Sequence, residues 1–179
     1  MHKDVEKILF SEERIALRVA ELGREIARDY EGETPLMVCI LKGACVFFAD
    51  LIRAAGIPLS IDFMAVSSYG AGAVSSGRVK IEKDVAQGVS GRHVVLVEDI
   101  IDTGNSLCAL KELFSSRGAA SVKICAFLDK KARRTAPVEA DYVGYEIEDA
   151  FVVGYGLDYA ERYRQLPYIG VLRKEVYEK

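Results

Sequence analysis

The stretch from Val94 to Ser106 carries the residues whose types and order best suit chemistry on a phosphorylated ligand. Four apolar residues, Val94 to Val97, lead into Glu98 and Asp99, and after two more apolar residues comes DTGNS at positions 102–106. A continuous apolar run predicts a strand buried on both faces. In open α/β sheets, ligands bind at the carboxyl ends of the strands, so the polar residues after this run are the first candidates for a site.

The glycine turn explains how a phosphate could be bound. Gly104 permits a tight turn with the backbone close to a ligand. The amides of the turn then converge at the N-terminus of a helix predicted from about Asn105, where the helix dipole favours an anion. Thr103 and Ser106 can add hydroxyl donors. The plainer alternative is that Asp102 and Thr103 only cap a helix, but three acids around an apolar pair favour a phosphate or metal site.

Glu98 and Asp99 stand within reach of a sugar beside that phosphate. Carboxylates at this position suit ribose hydroxyls, which donate hydrogen bonds. They also suit a magnesium ion that accompanies a diphosphate. The chemistry of the residues leaves both ligands open.

This segment resembles the phosphoribosyl-diphosphate signature of the type I phosphoribosyltransferases, and VEDIIDTG is similar to the version in hypoxanthine-guanine members of that family. The resemblance implies that residues 102–106 bind the 5′-phosphate of 5-phosphoribosyl 1-diphosphate and that Glu98 and Asp99 face the ribose hydroxyls. It also implies that Asp102 is catalytic, accepting a proton from N7 of the purine. Mg²⁺ is the expected cofactor, and its candidate ligands are Glu98, Asp99 and Asp158.

Leu41, Lys42 and Gly43 follow the apolar run that begins at Leu36. Taken alone, Lys-Gly after a strand is typical of an ordinary turn. The three residues match the family's LKG motif, which implies that Lys42 and the neighbouring amides bind the diphosphate. In the family, the peptide bond before this lysine is often cis.

The segment SSYGAGAVSSGR, from Ser67 to Arg78, is long and rich in glycine and serine. It could be a solvated linker between the strands of a hairpin. The resemblance implies instead a flap, with Ser68 and Tyr69 closing over the reaction centre. Excluding water there would protect a ribosyl cation from hydrolysis.

The basic segment LDKKARR, from Leu128 to Arg134, follows another predicted strand. It resembles the family segment whose first lysine contacts the purine 6-oxo group, which implies that Lys130 binds the base and disfavours adenine. Bacterial relatives often have proline where Lys131 stands. We expect Lys131, Arg133 and Arg134 to form a solvated face.

The stretch from Phe151 to Leu172 resembles bacterial hypoxanthine phosphoribosyltransferases almost throughout. The resemblance implies that Phe151 stacks on the purine and that Val152 recognises its edge through backbone groups. Asp158 would lie at the purine site and ligate magnesium, and Arg164 would bind pyrophosphate. Without the resemblance, Phe151 would be assigned to the core and Arg164 to a surface ion pair.

The apolar periodicity predicts alternating helices and strands. Ser11 is a candidate N-cap for the first helix, which should end before Gly32. Further helices are predicted at 44–55 and 105–117, and strands at 36–41, 61–66, 93–99, 122–128 and around 142–145, 151–153 and 168–172. This order predicts an α/β fold, with a mainly parallel twisted sheet covered by helices on both faces. We expect one domain over residues 1–179, with a small hood built from the terminal segments, as in the family.

The composition limits the classes of function. The net charge of −3 disfavours broad nucleic-acid binding. With two histidines and no CxxC pair, a zinc site is not expected, and the four cysteines are predicted to be small buried residues. No apolar run is long enough to span a membrane, and the charged N-terminal segment does not look like a secretory signal, so we expect a cytoplasmic protein.

Together these features predict a purine salvage enzyme that transfers 5-phosphoribosyl to N9 of hypoxanthine or guanine. Its partners would be the purine base and 5-phosphoribosyl 1-diphosphate, with no nucleic acid and no membrane. Relatives form dimers or tetramers, so a homodimer or homotetramer is expected. Two alternatives stay open: a related transferase that prefers xanthine, and an RNA-binding regulator of the same fold that senses the phosphosugar.

Overall fold

The computed structural model of the protein describes residues 1–68 and 79–178. The strands are β1 (Val5–Phe10), β2 (Leu36–Leu41), β3 (Ser60–Ser68), β4 (Val79–Lys83), β5 (His93–Ile101), β6 (Ser121–Asp129), β7 (Tyr142–Glu146), β8 (Val152–Val153) and β9 (Ile169–Leu172). The helices are α1 (Glu12–Asp29), α2 (Cys45–Ala55), α3 (Asn105–Ser116) and α4 (Lys174–Tyr177), and a 3₁₀ turn covers Lys131–Arg133.

The main sheet has six strands in the order β4-β3-β2-β5-β6-β7. Strands β3, β2, β5, β6 and β7 run parallel, and β4 pairs antiparallel with β3 at one edge. The predicted fold class is therefore confirmed. The carboxyl ends of β2, β5 and β6 lie side by side, which brings the predicted site segments to one edge of the sheet.

Alternate residues of the central strands pack against opposite faces of the sheet. On β2, Met37 and Cys39 join a core with α1 and α2. Leu36, Val38 and Ile40 join a second core with α3. Since both faces are covered, the central strands need apolar residues at every position, which explains their unbroken apolar runs.

The terminal segments form a second, antiparallel sheet in the order β1-β9-β8, and this sheet is the predicted hood. It has a small core of its own, formed by Val5, Val153, Tyr163 and Leu172. The hood positions the stretch after Phe151 above the carboxyl ends of the main strands.

Most predicted elements lie within two residues of the observed ones. Ser11 caps α1 as predicted, because its Oγ accepts a hydrogen bond from the Arg14 N–H at 3.4 Å. Strand β5 extends two residues past the predicted end at Asp99, since Ile100 and Ile101 pair with β6. Strands β1 and β4 and helix α4 were not predicted.

The prediction that every cysteine is buried is wrong. Cys39 and Cys125 are buried, whereas Cys108 is half-buried and Cys45 is exposed at the start of α2. The apolar neighbours of Cys45 in sequence point inward on the helix, and Cys45 itself faces outward. No helix in the described ranges is long and apolar enough to cross a membrane.

Candidate active site

The turn after β5 forms a small cavity of about 190 Å³. Its walls come from the end of the strand, the turn and the first residues of α3, and the lining residues are Glu98, Ile100, Ile101, Asp102, Thr103, Gly104, Ser106 and Leu107. Every predicted phosphosugar residue in this segment except Asp99 and Asn105 therefore lines one cavity.

Gly104 makes this turn possible in two ways. Its φ of 82° lies in the left-handed region, which other residues rarely adopt. A methyl group on Gly104 would also lie only 2.6 Å from Val138 Cγ1. The first hydrogen bond of α3 runs from the Cys108 N–H to the Gly104 carbonyl oxygen, at 2.9 Å. The amides before Cys108 thus lie outside the helical ladder and form an anion-binding N-terminus.

Glu98 and Asp99 place two carboxylates side by side at the end of β5. Burial and the negative charge of Asp99 raise the pKa of Glu98 well above its usual range, and burial also raises the pKa of Asp99. The Ile100 N–H donates to Asp99 Oδ1 at 2.7 Å and so fixes that side chain. A pair with surplus negative charge suits hydroxyl donors or a cation.

The Glu98–Asp99 pair suits a magnesium ion that is also bound by substrate and water better than it suits a metal ion bound by protein side chains alone. No group of three His, Cys, Asp or Glu side chains within residues 1–68 and 79–178 is arranged to bind a metal ion. Mg²⁺ commonly takes one or two carboxylates and completes its shell with substrate phosphates and water. The third predicted ligand, Asp158, is paired with Arg164 instead, with 2.9 Å between Asp158 Oδ1 and Arg164 Nη2.

The predicted diphosphate residues converge on Glu161. Lys42 Nζ donates to Glu161 Oε1 at 3.2 Å, and Arg164 Nη2 donates to the same oxygen at 3.3 Å. These hydrogen bonds lower the pKa of Glu161. The Leu41–Lys42 peptide bond is cis, which the sequence left undecided.

Glu161 was not predicted as a site residue. The signal for it was weak, because an acid three positions before an arginine is a common surface pair. Its backbone φ of 62° is unusual for glutamate and follows from the tight turn that begins at Ala160.

The loop bearing Gly43 packs against both the acidic pair and the hood. A methyl group on Gly43 would lie 1.7 Å from Asp99 Oδ2. A methyl group on Gly156 would lie 2.1 Å from the Gly43 carbonyl oxygen. Arg164 Nη1 also donates to the Gly156 carbonyl oxygen, at 2.8 Å. The loop after β2 therefore touches the other two predicted phosphate-binding segments.

A second cavity, of about 360 Å³, contains the predicted purine residues Lys130 and Phe151. Lys130 is only 8% exposed, and its Nζ lies 3.6 Å from Asp149 Oδ1. Phe151 is 36% exposed and stacks on Tyr177 of α4, with ring centroids 4.8 Å apart and planes 24° apart. Tyr177 lines the cavity as well and was missed, because nothing in its local sequence marks it.

Val152 begins β8 and pairs with Val171 of β9. The carbonyl oxygen of the preceding residue, Phe151, accepts a hydrogen bond from the Leu172 N–H at 2.8 Å. Strand pairing thus fixes the backbone at the predicted base edge.

Asp102 lines the smaller cavity. It is the first residue of the turn after β5, residues 102–106, which we call the phosphate turn. Its Oδ1 is covered from solvent and lies 3.1 Å from Arg133 Nε, but accepts no hydrogen bond from the described part of the chain. A buried acceptor without a hydrogen bond is costly, which suits a group that accepts a proton from a ligand.

The prediction that the basic run is a solvated face is wrong at Arg134. Lys131 and Arg133 are exposed, but the side chain of Arg134 is 13% exposed and pairs with the buried Asp129. The flap prediction cannot be compared, because Tyr69 lies outside the described residues and Ser68 is described only as the end of β3.

Residues 6–160 match the phosphoribosyl transferase domain family, and the chain belongs to that family. A hypoxanthine-guanine phosphoribosyltransferase of Bacillus subtilis is 56% identical over 178 residues, covering 99% of each chain. One from Streptococcus thermophilus is 52% identical over 179 residues, covering 100% of this chain and 99% of its own. A crystal structure of a hypoxanthine phosphoribosyltransferase from Staphylococcus aureus is 48% identical and matches with a TM-score of 0.97, over 100% of this chain and 97% of that chain.

Proposed function

We propose that the protein is a purine salvage enzyme that transfers 5-phosphoribosyl from 5-phosphoribosyl 1-diphosphate to N9 of hypoxanthine and guanine. The products are the nucleoside monophosphate and pyrophosphate. The observation that carries the proposal is the identity of 52% and 56%, over nearly the whole chain, with enzymes named for this activity. The two cavities offer a place for the phosphosugar and for the base, and the ion pair between Asp102 and Arg133 links their linings.

The phosphosugar binds in the smaller cavity. The amides of the turn and the hydroxyls of Thr103 and Ser106 donate to the 5′-phosphate, and the amide of Asn105 adds to the helix N-terminus. Glu98 and Asp99 accept hydrogen bonds from the ribose hydroxyls. These contacts would hold the anomeric carbon toward the base cavity, which supplies the orientation that a transfer reaction needs.

The diphosphate lies against the loop of Leu41, Lys42 and Gly43, with Arg164 on the hood side. Both cations interact with the oxygens of the leaving group, where negative charge develops as the bond to the sugar breaks. Glu98, Asp99 and Asp158 would hold Mg²⁺, which neutralises diphosphate charge when it is bound. Asp158 reaches the ion only if its pair with Arg164 opens.

The base binds in the larger cavity. Phe151 stacks on the purine, the backbone at Val152 recognises its edge, Asp158 borders the site, and Lys130 donates to O6. Adenine presents an amino donor at that position, so Lys130 disfavours it. Asp102 accepts the N7 proton, which becomes more acidic as N9 is alkylated.

The remaining features of the proposal concern water, assembly and location. Ser68 and Tyr69 belong to a flap that excludes water from the reacting sugar. The enzyme is a single domain over residues 1–179, works in the cytoplasm and assembles as a homodimer or homotetramer.

The test is nucleotide formation from 5-phosphoribosyl 1-diphosphate and Mg²⁺, with hypoxanthine, guanine, xanthine and adenine assayed in parallel. We expect product with hypoxanthine and guanine and none with adenine. Product with xanthine alone would replace the proposed substrates. No product with any base would refute the transferase assignment and favour a phosphosugar-sensing regulator. Omitting Mg²⁺ with excess chelator should abolish turnover.

A further inference from the structure

The segment after β6 binds three successive carbonyl groups, at the last residue of β5 and the first two residues of the phosphate turn. The Lys130 N–H donates to the Ile101 carbonyl oxygen at 2.9 Å. Arg134 Nε donates to the carbonyl oxygen of the next residue, Asp102, at 3.2 Å. The N–H of Thr135 then donates to the carbonyl oxygen of Thr103 at 3.0 Å. We call residues 130–138 the bracing loop.

These contacts also fix the directions of the N–H groups on the side of the turn that faces away from the bracing loop. In a trans peptide group the carbonyl and the N–H point in opposite directions. Fixing the carbonyls of residues 101–103 on the side of the bracing loop therefore orients the following amides away from it. The amides that would receive the phosphate are thus oriented by the bracing loop as well as by the turn itself.

Two side chains take part in these contacts: the Thr135 hydroxyl donates to the Thr103 carbonyl oxygen at 3.4 Å, and Arg134 reaches furthest. Besides the Asp102 carbonyl, it donates from Nη1 to the Val138 carbonyl oxygen at 2.5 Å and from Nη2 to the carboxylate of Asp129. Asp129 is 3% exposed and ends β6 directly before Lys130. A carboxylate buried this deeply needs a charged partner, and Arg134 supplies it.

The side chain also supports the turn by packing. A methyl group on Gly104 would lie 2.8 Å from Arg134 Cδ, so the stem of the arginine lies directly against the turn. One side chain therefore contacts the backbone of the proposed proton acceptor, the glycine of the phosphate turn and the strand end before the proposed base-binding lysine.

We propose that Arg134 is a positioning residue for the transfer reaction, fixing Asp102 and the phosphate turn relative to Lys130. The proposal deepens the proposed function and depends on it. Arg134 touches neither substrate; it sets the distance between the group that meets N7 and the group that meets O6. Arginine is required because its planar fork can reach two carbonyls and a carboxylate together, whereas lysine offers one nitrogen.

The first test is Arg134→Lys, which keeps the positive charge beside Asp129 but loses the fork. We expect a folded protein whose KM values for both hypoxanthine and 5-phosphoribosyl 1-diphosphate rise, with kcat/KM reduced about 10- to 100-fold, since misplacement near 1 Å can cost that much. A purely structural role would lower the folded fraction, which scales kcat and leaves both KM values unchanged. Unchanged KM values in a folded variant would overturn the proposal.

Arg117→Lys is the matched control. Arg117 also makes a two-pronged pair with a carboxylate, at 2.8 Å and 2.5 Å from the oxygens of Asp84, but lies outside the site. Its variant should keep both KM values. Equal changes in the two variants would contradict a role specific to Arg134.

Asp129→Asn provides a second test that keeps a polar side chain at the buried position. The substitution weakens the ion pair between Arg134 and the end of β6, but it leaves the hydrogen bonds of Arg134 to the carbonyls of Asp102 and Val138. We expect the KM for hypoxanthine to rise at least threefold more than the KM for 5-phosphoribosyl 1-diphosphate. Equal KM values to wild type would refute the coupling. Lack of product from the wild-type protein would refute the proposed function itself, and so separates the two failures.

Discussion

At the scale of single residues, charges of opposite sign lie where a charged substrate would have to enter. Lys42 and Arg164 both donate to Glu161 Oε1, and both pairs are partly or largely exposed. Exposed ion pairs have small interaction free energies, because water screens the charges. Glu161 is therefore a weak competitor that a diphosphate can displace.

The Glu161→Gln variant tests this competition. Removing the carboxylate frees Lys42 and takes one partner from Arg164, which keeps its pair with Asp158. We therefore expect pyrophosphate to bind about two- to fivefold more tightly, corresponding to two weak surface pairs. Product inhibition by pyrophosphate measures the change. Glu33→Gln, in the turn after α1 at the opposite end of the sheet, controls for the lost negative charge. Weaker or unchanged inhibition in Glu161→Gln would show that Glu161 does not compete.

The Asp102→Ala variant tests the proton acceptor. We expect kcat to fall by at least about 100-fold, as is usual when a general base is removed. Binding of 5-phosphoribosyl 1-diphosphate, measured by calorimetry, should persist because the backbone amides of the turn remain. Unchanged turnover would remove Asp102 from the mechanism.

At the scale of elements, the site depends on loops that press against one another. The hairpin after β8 packs against the loop after β2. Gly156 lies so close to the Gly43 carbonyl oxygen that a residue with a side chain would clash there. Gly156 also has a φ of 99°.

The Gly156→Ala variant should displace the loop after β2 and raise the KM for 5-phosphoribosyl 1-diphosphate. We expect a larger rise than for Gly32→Ala. Gly32 has a φ of 81°, and a methyl group on it would meet nothing within 4 Å, so its variant bears only the backbone cost. Steady-state kinetics with hypoxanthine saturating measures the difference. Equal KM values in the two variants would show that the close approach is unimportant for the site.

The main sheet could be predicted from sequence because its strands are buried on both faces. The run Leu36–Leu41 is apolar throughout and gives β2 with the correct bounds. The phosphate turn could be predicted too, since Gly104 and the helix after it are contiguous in sequence.

Other parts of the molecule depend on contacts that the local sequence does not encode. Strand β1 has only two buried residues, so its apolar pattern is faint. From sequence, Arg134 is indistinguishable from a surface charge; only the fold brings the end of β6 and the turn after β5 into contact with it. Tyr177 becomes a candidate only once α4 brings it onto Phe151.

At the scale of the whole molecule, one polar cluster links α1 to the edge of the sheet. Asp29, at the end of α1, accepts hydrogen bonds from Tyr142 Oη at 2.8 Å and from Lys123 Nζ at 3.0 Å. These hydrogen bonds, with that of Tyr142 the largest cause, lower the pKa of Asp29 from 3.8 to about 2.

The Asp29→Asn variant should lose stability in a pH-dependent way. A carboxyl whose pKa is lowered by folding stabilises the protein above its ordinary pKa, and that contribution disappears as the pH falls through the folded value. We expect a loss of about 1 kcal/mol at pH 7, reduced for solvent screening. The difference from wild type should vanish as the pH falls from about 4 to about 2. Urea unfolding across this range measures it, with Glu31→Gln as the charge control. A difference independent of pH would contradict the assignment.

The pairing of β1 with β9 also determines the order in which the molecule can be completed. Phe10 lies opposite Ile169, so nearly the whole described chain separates the two strands of the hood. During synthesis, β2, β5 and β6 can associate before β9 has left the ribosome, but the hood cannot close. One face of the hood has a small core of its own, and the other face joins the main core with α1 and α2. The base cavity, which β1 and β9 help to line, is therefore the last part of the enzyme to form, after the strands that hold the phosphate turn have paired.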